Sequence, residues 1–247
     1  MSIQCTFLAA VHTAAFFMAG AFAPAYAGAF HVAPVRIEMS AKGTSSAMTV
    51  SNNGPAAVVI QLHRALWTQE NGVDKYSPTD DLIATPPIFT VQPGGNQVVR
   101  IGLRRRPDPT TELSYRLYIQ EVPPAKKEGF KGLQMALRIS IPVFVEPNIK
   151  AKPGLRFSAQ KSAADKLTVM LKNDSQAHVQ VSDFRVNLPG QDVPLAVQQV
   201  SAYLLPLQSR SWTMAIDPAK PLKGTALRVK AFTDAGEMEA DVILDRP

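Results

Sequence analysis

An all-β chain organised as two sandwiches is the fold this sequence predicts, and three observations carry the prediction. Apolar residues recur with a period of two in many short runs. Gly, Pro, Asn and Asp separate those runs at regular spacing, and helical windows are few. The clearest run is Leu133-Gln134-Met135-Ala136-Leu137-Arg138-Ile139-Ser140-Ile141, with large apolar side chains at every odd position. Successive side chains leave opposite sides of a pleat, so this is a strand with one oily face, and Pro142 then removes a ladder donor. Inside a sandwich that face is ordinary core. At a sheet edge it invites pairing by a foreign strand.

The other elements follow in order. Phe30 to Met39 alternates, with Ala33, Val35, Ile37 and Met39 on one side and Arg36 and Glu38 on the other. Ala47 to Val50 and Ala57 to Leu66 are strands on either side of the turn signal Asn53-Gly54-Pro55, and Asn71-Gly72 marks another turn. Ile88 to Val91, Val98 to Leu103 and Glu112 to Val122 follow, divided by Pro86-Pro87, Pro93-Gly94-Gly95 and Pro107-Asp108-Pro109. With the strand from Leu133, this pattern reads as an immunoglobulin-like sandwich over residues 28–147. Pro147 to Gly154 has linker composition, and residues 148–247 hold the linker and a second, smaller sandwich. Its strands are Leu167 to Leu171, Val179 to Val186, Ser211 to Ile216, Thr225 to Thr233 and Met238 to Leu244, with turns at Asn173-Asp174-Ser175 and Asp234-Ala235-Gly236. No sequence repeat relates the two halves.

Residues 1–27 read as a secretory signal. Phe7 to Ala27 is nearly all apolar or small, and Ala25-Tyr26-Ala27 fits a small-x-small cleavage site, although no Lys or Arg precedes Phe7. An uncleaved membrane anchor is the alternative. The one cysteine, Cys5, falls inside this segment, so the exported chain relies on packing without disulfides. The 26 basic and 20 acidic residues divide evenly at Pro147, 13 and 10 on each side. So even a spread is not a nucleic-acid footprint. Arg104-Arg105-Arg106 is the one dense cluster and reads as a solvated loop.

Catalytic patterns do not emerge. His31, His63 and His178 form no spaced pair with another metal-ligating residue, and the methionines are scattered. No nucleophile elbow, phosphate loop or dinucleotide fingerprint appears, and Asp80-Asp81 reads as a solvated loop pair. The expectation is a binding protein: not an enzyme, with no cofactor and no metal. A structural surface subunit or carbohydrate-binding sandwich is the alternative. Against that alternative, the oily alternating strand is internal and lies just before the interdomain linker. An exported metal-binding or hydrolytic enzyme is argued against by the missing spacings.

Several segments converge on one family. Pro34-Val35-Arg36, Ala84-Thr85-Pro86-Pro87, Pro93-Gly94 with Val99-Arg100, Glu121-Val122-Pro123-Pro124, and Leu133-Gln134-Met135-Ala136-Leu137 running to Pro147 occur in family order. In these the chain resembles the periplasmic chaperones of the chaperone–usher pilus pathway, the PapD-like family. The resemblance implies a boomerang of two sandwiches, pilus or fimbrial subunits and an outer-membrane usher as partners, and a periplasmic location. It also implies donor-strand complementation, in which Leu133, Met135, Leu137, Ile139 and Ile141 face a groove in the subunit. A pair of basic residues in the cleft then binds the subunit's terminal carboxylate. Arg36 matches the first of these. The usual second, a lysine near the end of the lent strand, is Pro142 here, and Arg116 on the preceding strand is the replacement, with Arg100 and Arg138 as fallbacks. This departure resembles the archaic branch of the family. The family's interdomain arginine is Glu146, which cannot bridge to Glu121, so a basic residue of the second domain or none at all sets the hinge.

Overall fold

The computed structural model describes residues 30–125, 129, 133–152, 154–216 and 226–245. The expected signal segment and its cleavage site lie outside the described residues. So does most of the connection from Pro124 to Leu133. Seventeen strands run through the described chain: β1 Phe30–Ala33, β2 Ile37–Met39, β3 Ser45–Asn52, β4 Val58–Glu70, β5 Val73–Pro78, β6 Leu82–Thr85, β7 Ile88–Val91, β8 Asn96–Leu103, β9 Leu113–Val122, β10 Arg138–Val145, β11 Leu155–Ala163, β12 Lys166–Asn173, β13 Val179–Asn187, β14 Ala196–Leu204, β15 Ser209–Ala215, β16 Ala226–Thr233 and β17 Gly236–Asp245.

The first ten make two sheets, β1-β3-β8-β6 and β2-β10-β9-β4-β5, with β7 also paired to β4. Their facing sides share one core, centred on Ile37, Met48, Val50, Ile60, Leu82, Val99, Ile101, Leu117, Ile119, Ile141 and Val143. The last seven form one continuous sheet, β14-β13-β16-β17-β11-β12-β15, which closes over a second core through the short parallel contact of β17 with β11.

The first strand departs from the sequence reading. β1 pairs with β3 in one sheet and β2 pairs parallel to β10 in the other, so the chain changes sheets between Ala33 and Arg36. Pro34, which has no N–H to give a ladder, sits at the crossing. The crossing shifts the inward parity by one residue. Phe30, Val32, Ile37 and Met39 are buried, whereas Ala33 and Val35 are exposed, Val35 at 71%. Arg36 keeps its expected place opposite Ile37.

Each sandwich contains the same buried turn device. Asn52 donates from Nδ2 to the carbonyls of Ala56 and Val91 and accepts the Gly54 N–H at Oδ1. Asn173 donates to Ala177, Leu204 and Leu205 and accepts the Ser175 N–H. Both asparagines are fully buried, so each holds backbone groups that water cannot reach. Asn173→Ala is expected to cost roughly 2–4 kcal/mol, because several buried polar groups lose their partner together. Urea unfolding measures it, and an unchanged midpoint would contradict the assignment.

Candidate functional site

The site lies on the outer face of the sheet β2-β10-β9-β4-β5, where the first sandwich meets the second. In the antiparallel ladder Pro142 faces Arg116 across β10 and β9, and Arg116 in turn faces Ala65 of β4. Arg36 precedes the first paired residue of β2 by one, and Ile37 pairs with Val143, so Arg36 falls beside Pro142 on the other flank. Arg36, Pro142 and Arg116 therefore form one row across three strands. Two strand spacings, roughly 10 Å, separate the arginine backbones. The proline between them is buried.

Both guanidinium groups are held. Arg36 forms an ion pair with Glu38, Nε and the carboxylate oxygen 2.9 Å apart, and donates from Nη1 to Asp234 at 3.1 Å. Burial works against its charge, but Glu38 and Asp234 outweigh burial and hold it above its ordinary value. Arg116 lies flat over Trp67, its Cζ 3.8 Å from the ring, with Tyr203 of the second sandwich at 5.6 Å. Among the described residues its Nε is buried and finds no hydrogen-bond partner. The fallback arginines stand elsewhere: Arg100 is exposed on β8 of the other sheet, and Arg138 stacks on Tyr118 at 4.1 Å.

Beside this row, β10 presents an open edge. Glu121 N–H donates to the Leu137 carbonyl, and the ladder places Arg138 opposite Gln120, so the odd-numbered residues exchange their backbone bonds with β9. The even-numbered backbone groups face the other way. Among the described residues no strand pairs there until β2 begins at Val143. Pro142 is one of those even residues. Its missing N–H points where no ladder partner requires it, so the strand runs on through it to Val145.

The oily face of this strand divides in two. Leu133, Met135 and Leu137 are 84%, 68% and 38% exposed, Ile139 is half-buried against the sandwich core, and Ile141 is 1% exposed within it. The expectation that Ile141 contacts a partner is corrected on this point, because its side chain already fills the protein's own core. All five share one parity, but the facing sheet covers only the later ones. Residues 133–137 are extended without strand assignment, tied by Leu137 N–H to Glu121 Oε2 at 3.2 Å and by Gln134 to the Pro124 carbonyl at 2.8 Å.

The join between the sandwiches is set by residues the sequence reading did not single out for it. Glu112, almost fully buried, holds His178 Nδ1 at 2.8 Å and also accepts its backbone N–H. His178 stacks on Phe144 with ring centres 3.5 Å apart, and its Nε2 lies 3.7 Å from Asp234. Gln69 donates to the Tyr203 carbonyl and accepts the Leu205 N–H, while Trp67, Phe144 and Leu205 form a small apolar cluster. His178 of the second sandwich meets Glu112, whereas Glu121 accepts the Leu137 N–H and Glu146 is exposed. The signal was a lone acid, Glu112, at the start of an apolar strand. Its partner sits 66 residues away, beyond the reach of any spacing rule. The adjacent Asp80 and Asp81 also separate: Asp81 accepts the Tyr115 hydroxyl and pairs with Arg105, while Asp80 approaches Arg64.

Two β-sandwiches in tandem, with an open strand edge preceded by exposed apolar side chains and two arginines in one row across the sheet, define the architecture of a two-sandwich chaperone. The first sandwich belongs to the pili and flagellar-assembly chaperone family, whose PapD N-terminal domain model matches residues 29–150. A curated relative, the chaperone protein FimB/FhaD of Bordetella pertussis, is 27% identical over 159 residues, covering 60% of this chain and 61% of the relative. The match thus spans about three fifths of that protein's length. Among solved structures, the CsuC–CsuE chaperone–tip adhesion subunit complex from the archaic Csu pili of Acinetobacter baumannii aligns over 87% of this chain and 99% of the matched chain, with TM-score 0.64 and 20% identity. The Escherichia coli chaperone DraB aligns over 87% and 97%, with TM-score 0.57 and 21% identity.

Proposed function

We propose that this protein captures pilus subunits in the periplasm by lending them the strand from Leu133 to Ile139, and delivers them to an outer-membrane usher. The observation that carries this reading is the open edge of β10 with Leu133, Met135 and Leu137 overhanging it. A subunit laid along that edge would satisfy the bare backbone groups and cover the apolar side chains in one step. Each large side chain so buried contributes roughly 1.5–3 kcal/mol, before ordering costs are subtracted. Arg36 and Arg116 bind the subunit's terminal carboxylate and so set the register. Residues 1–27 direct export, residues 28–147 form the domain that lends the strand, and residues 148–247 form the second domain. The complexes in which related folds were solved, CsuC with CsuE and SafB with the SafA pilin, support a subunit as the partner.

The test is capture of a co-expressed pilus subunit from periplasmic extracts by the variant Leu137→Asp. A charge on the overhanging face should abolish recovery while the free protein melts within about 1 kcal/mol of the native one, as exposed substitutions do. Unimpaired capture would refute the lending of this strand.

A further inference from the structure

Arg36 is not free to offer a two-pronged fork. A carboxylate binds a guanidinium best through two parallel N–H bonds, on either the Nε–Nη2 or the Nη1–Nη2 edge. Glu38 lies 2.9 Å from Nε and Asp234 accepts from Nη1, so each edge already faces a carboxylate. One carboxylate must let go. Asp234 has a second partner within reach, since the same oxygen that meets Arg36 lies 3.7 Å from His178 Nε2. His178 cannot drift away, being stacked on Phe144 and held at Nδ1 by Glu112. The other oxygen of Asp234 accepts the Gln180 N–H, which keeps the carboxylate in place between Arg36 and His178.

Resting on the carboxylate-clamp reading above, we propose that Asp234 is an internal stand-in for the subunit's terminal carboxylate. It occupies Arg36 while no subunit is bound, passes to His178 when one arrives, and thereby sets how tightly the terminus is held. The second sandwich, which lends no strand, thus tunes the strength of capture.

The experiment uses the exported chain and a short synthetic peptide of alternating Val and Thr, made with a free C-terminal carboxylate and as its C-terminal amide. The ratio of the two affinities, from calorimetry, isolates what the carboxylate contributes. Asp234→Asn keeps the size and the acceptor for Gln180 but removes the charge, and the ratio should rise roughly three- to tenfold. His178→Gln keeps a donor toward Glu112 but removes the ring nitrogen that faces Asp234, and the ratio should fall. A purely structural role at the join would move both variants in the same direction, so shifts of the same sign, or no rise with Asp234→Asn, overturn the proposal. Arg36→Ala separates the two layers. If the carboxylate preference survives that change, the clamp itself is wrong. If it is lost there yet unmoved in Asp234→Asn, only the stand-in fails.

Discussion

Arg36→Ala should leave a folded protein that no longer recovers subunits from periplasmic extracts. The two ion pairs it loses are partly exposed, so their removal should change stability by at most about 1 kcal/mol. The effect on capture is far larger. Truncating one partner of a hydrogen-bonded charge pair at an interface costs about 2–5 kcal/mol, or on the order of 30- to several-thousand-fold in affinity. Arg36→Lys should fall between, because an ammonium keeps the charge but not the fork. Arg116→Ala should weaken capture as well, and it also uncovers Trp67, so its melting temperature should drop where that of Arg36→Ala does not. Undiminished recovery with Arg36→Ala would remove the clamp from the account.

Ile141 should behave in the opposite way to Leu137, although both lie on one face of one segment. Ile141→Ala removes buried methyl groups from a packed core and should cost roughly 2–5 kcal/mol, read as a lower urea midpoint. Ile141→Asp buries an unpaired charge there and should prevent folding altogether. A native melt for Ile141→Ala combined with lost capture would place Ile141 at the partner surface after all.

The β class and most strands were legible because alternation survives wherever one face is buried and the other is wet. β5, β6, β11 and β14 escaped notice, β5 and β14 for the reason the rule works. β5, Val-Asp-Lys-Tyr-Ser-Pro, lies at a sheet edge with nearly every residue exposed, and β14 carries a glutamine pair in place of apolar repeats. The parity of Ala33 and Val35 was misread because a change of sheet leaves no mark except a proline. Arg36 and Arg116 could be paired from strand parity and the family likeness. Asp234, His178 and Glu112 could not, since they meet only once the two sandwiches are joined. Nor could the alternating pattern tell Leu137 from Ile141, because the pattern records orientation and is silent about where the covering sheet stops.

The parallel pairing of β2 with the far end of β10 has a directional consequence. Any guest strand on the open stretch lies end to end with β2, and its advance halts where β2 begins, at the paired arginines and the proton-less nitrogen of Pro142. Such a stop works as a ruler. From Leu133 to that barrier the backbone spans roughly 30 Å at 3.3 Å per residue, so a guest is gauged from its last residue backward. A polypeptide carrying extra residues past its terminus would overshoot the gauge and seat its side chains out of step.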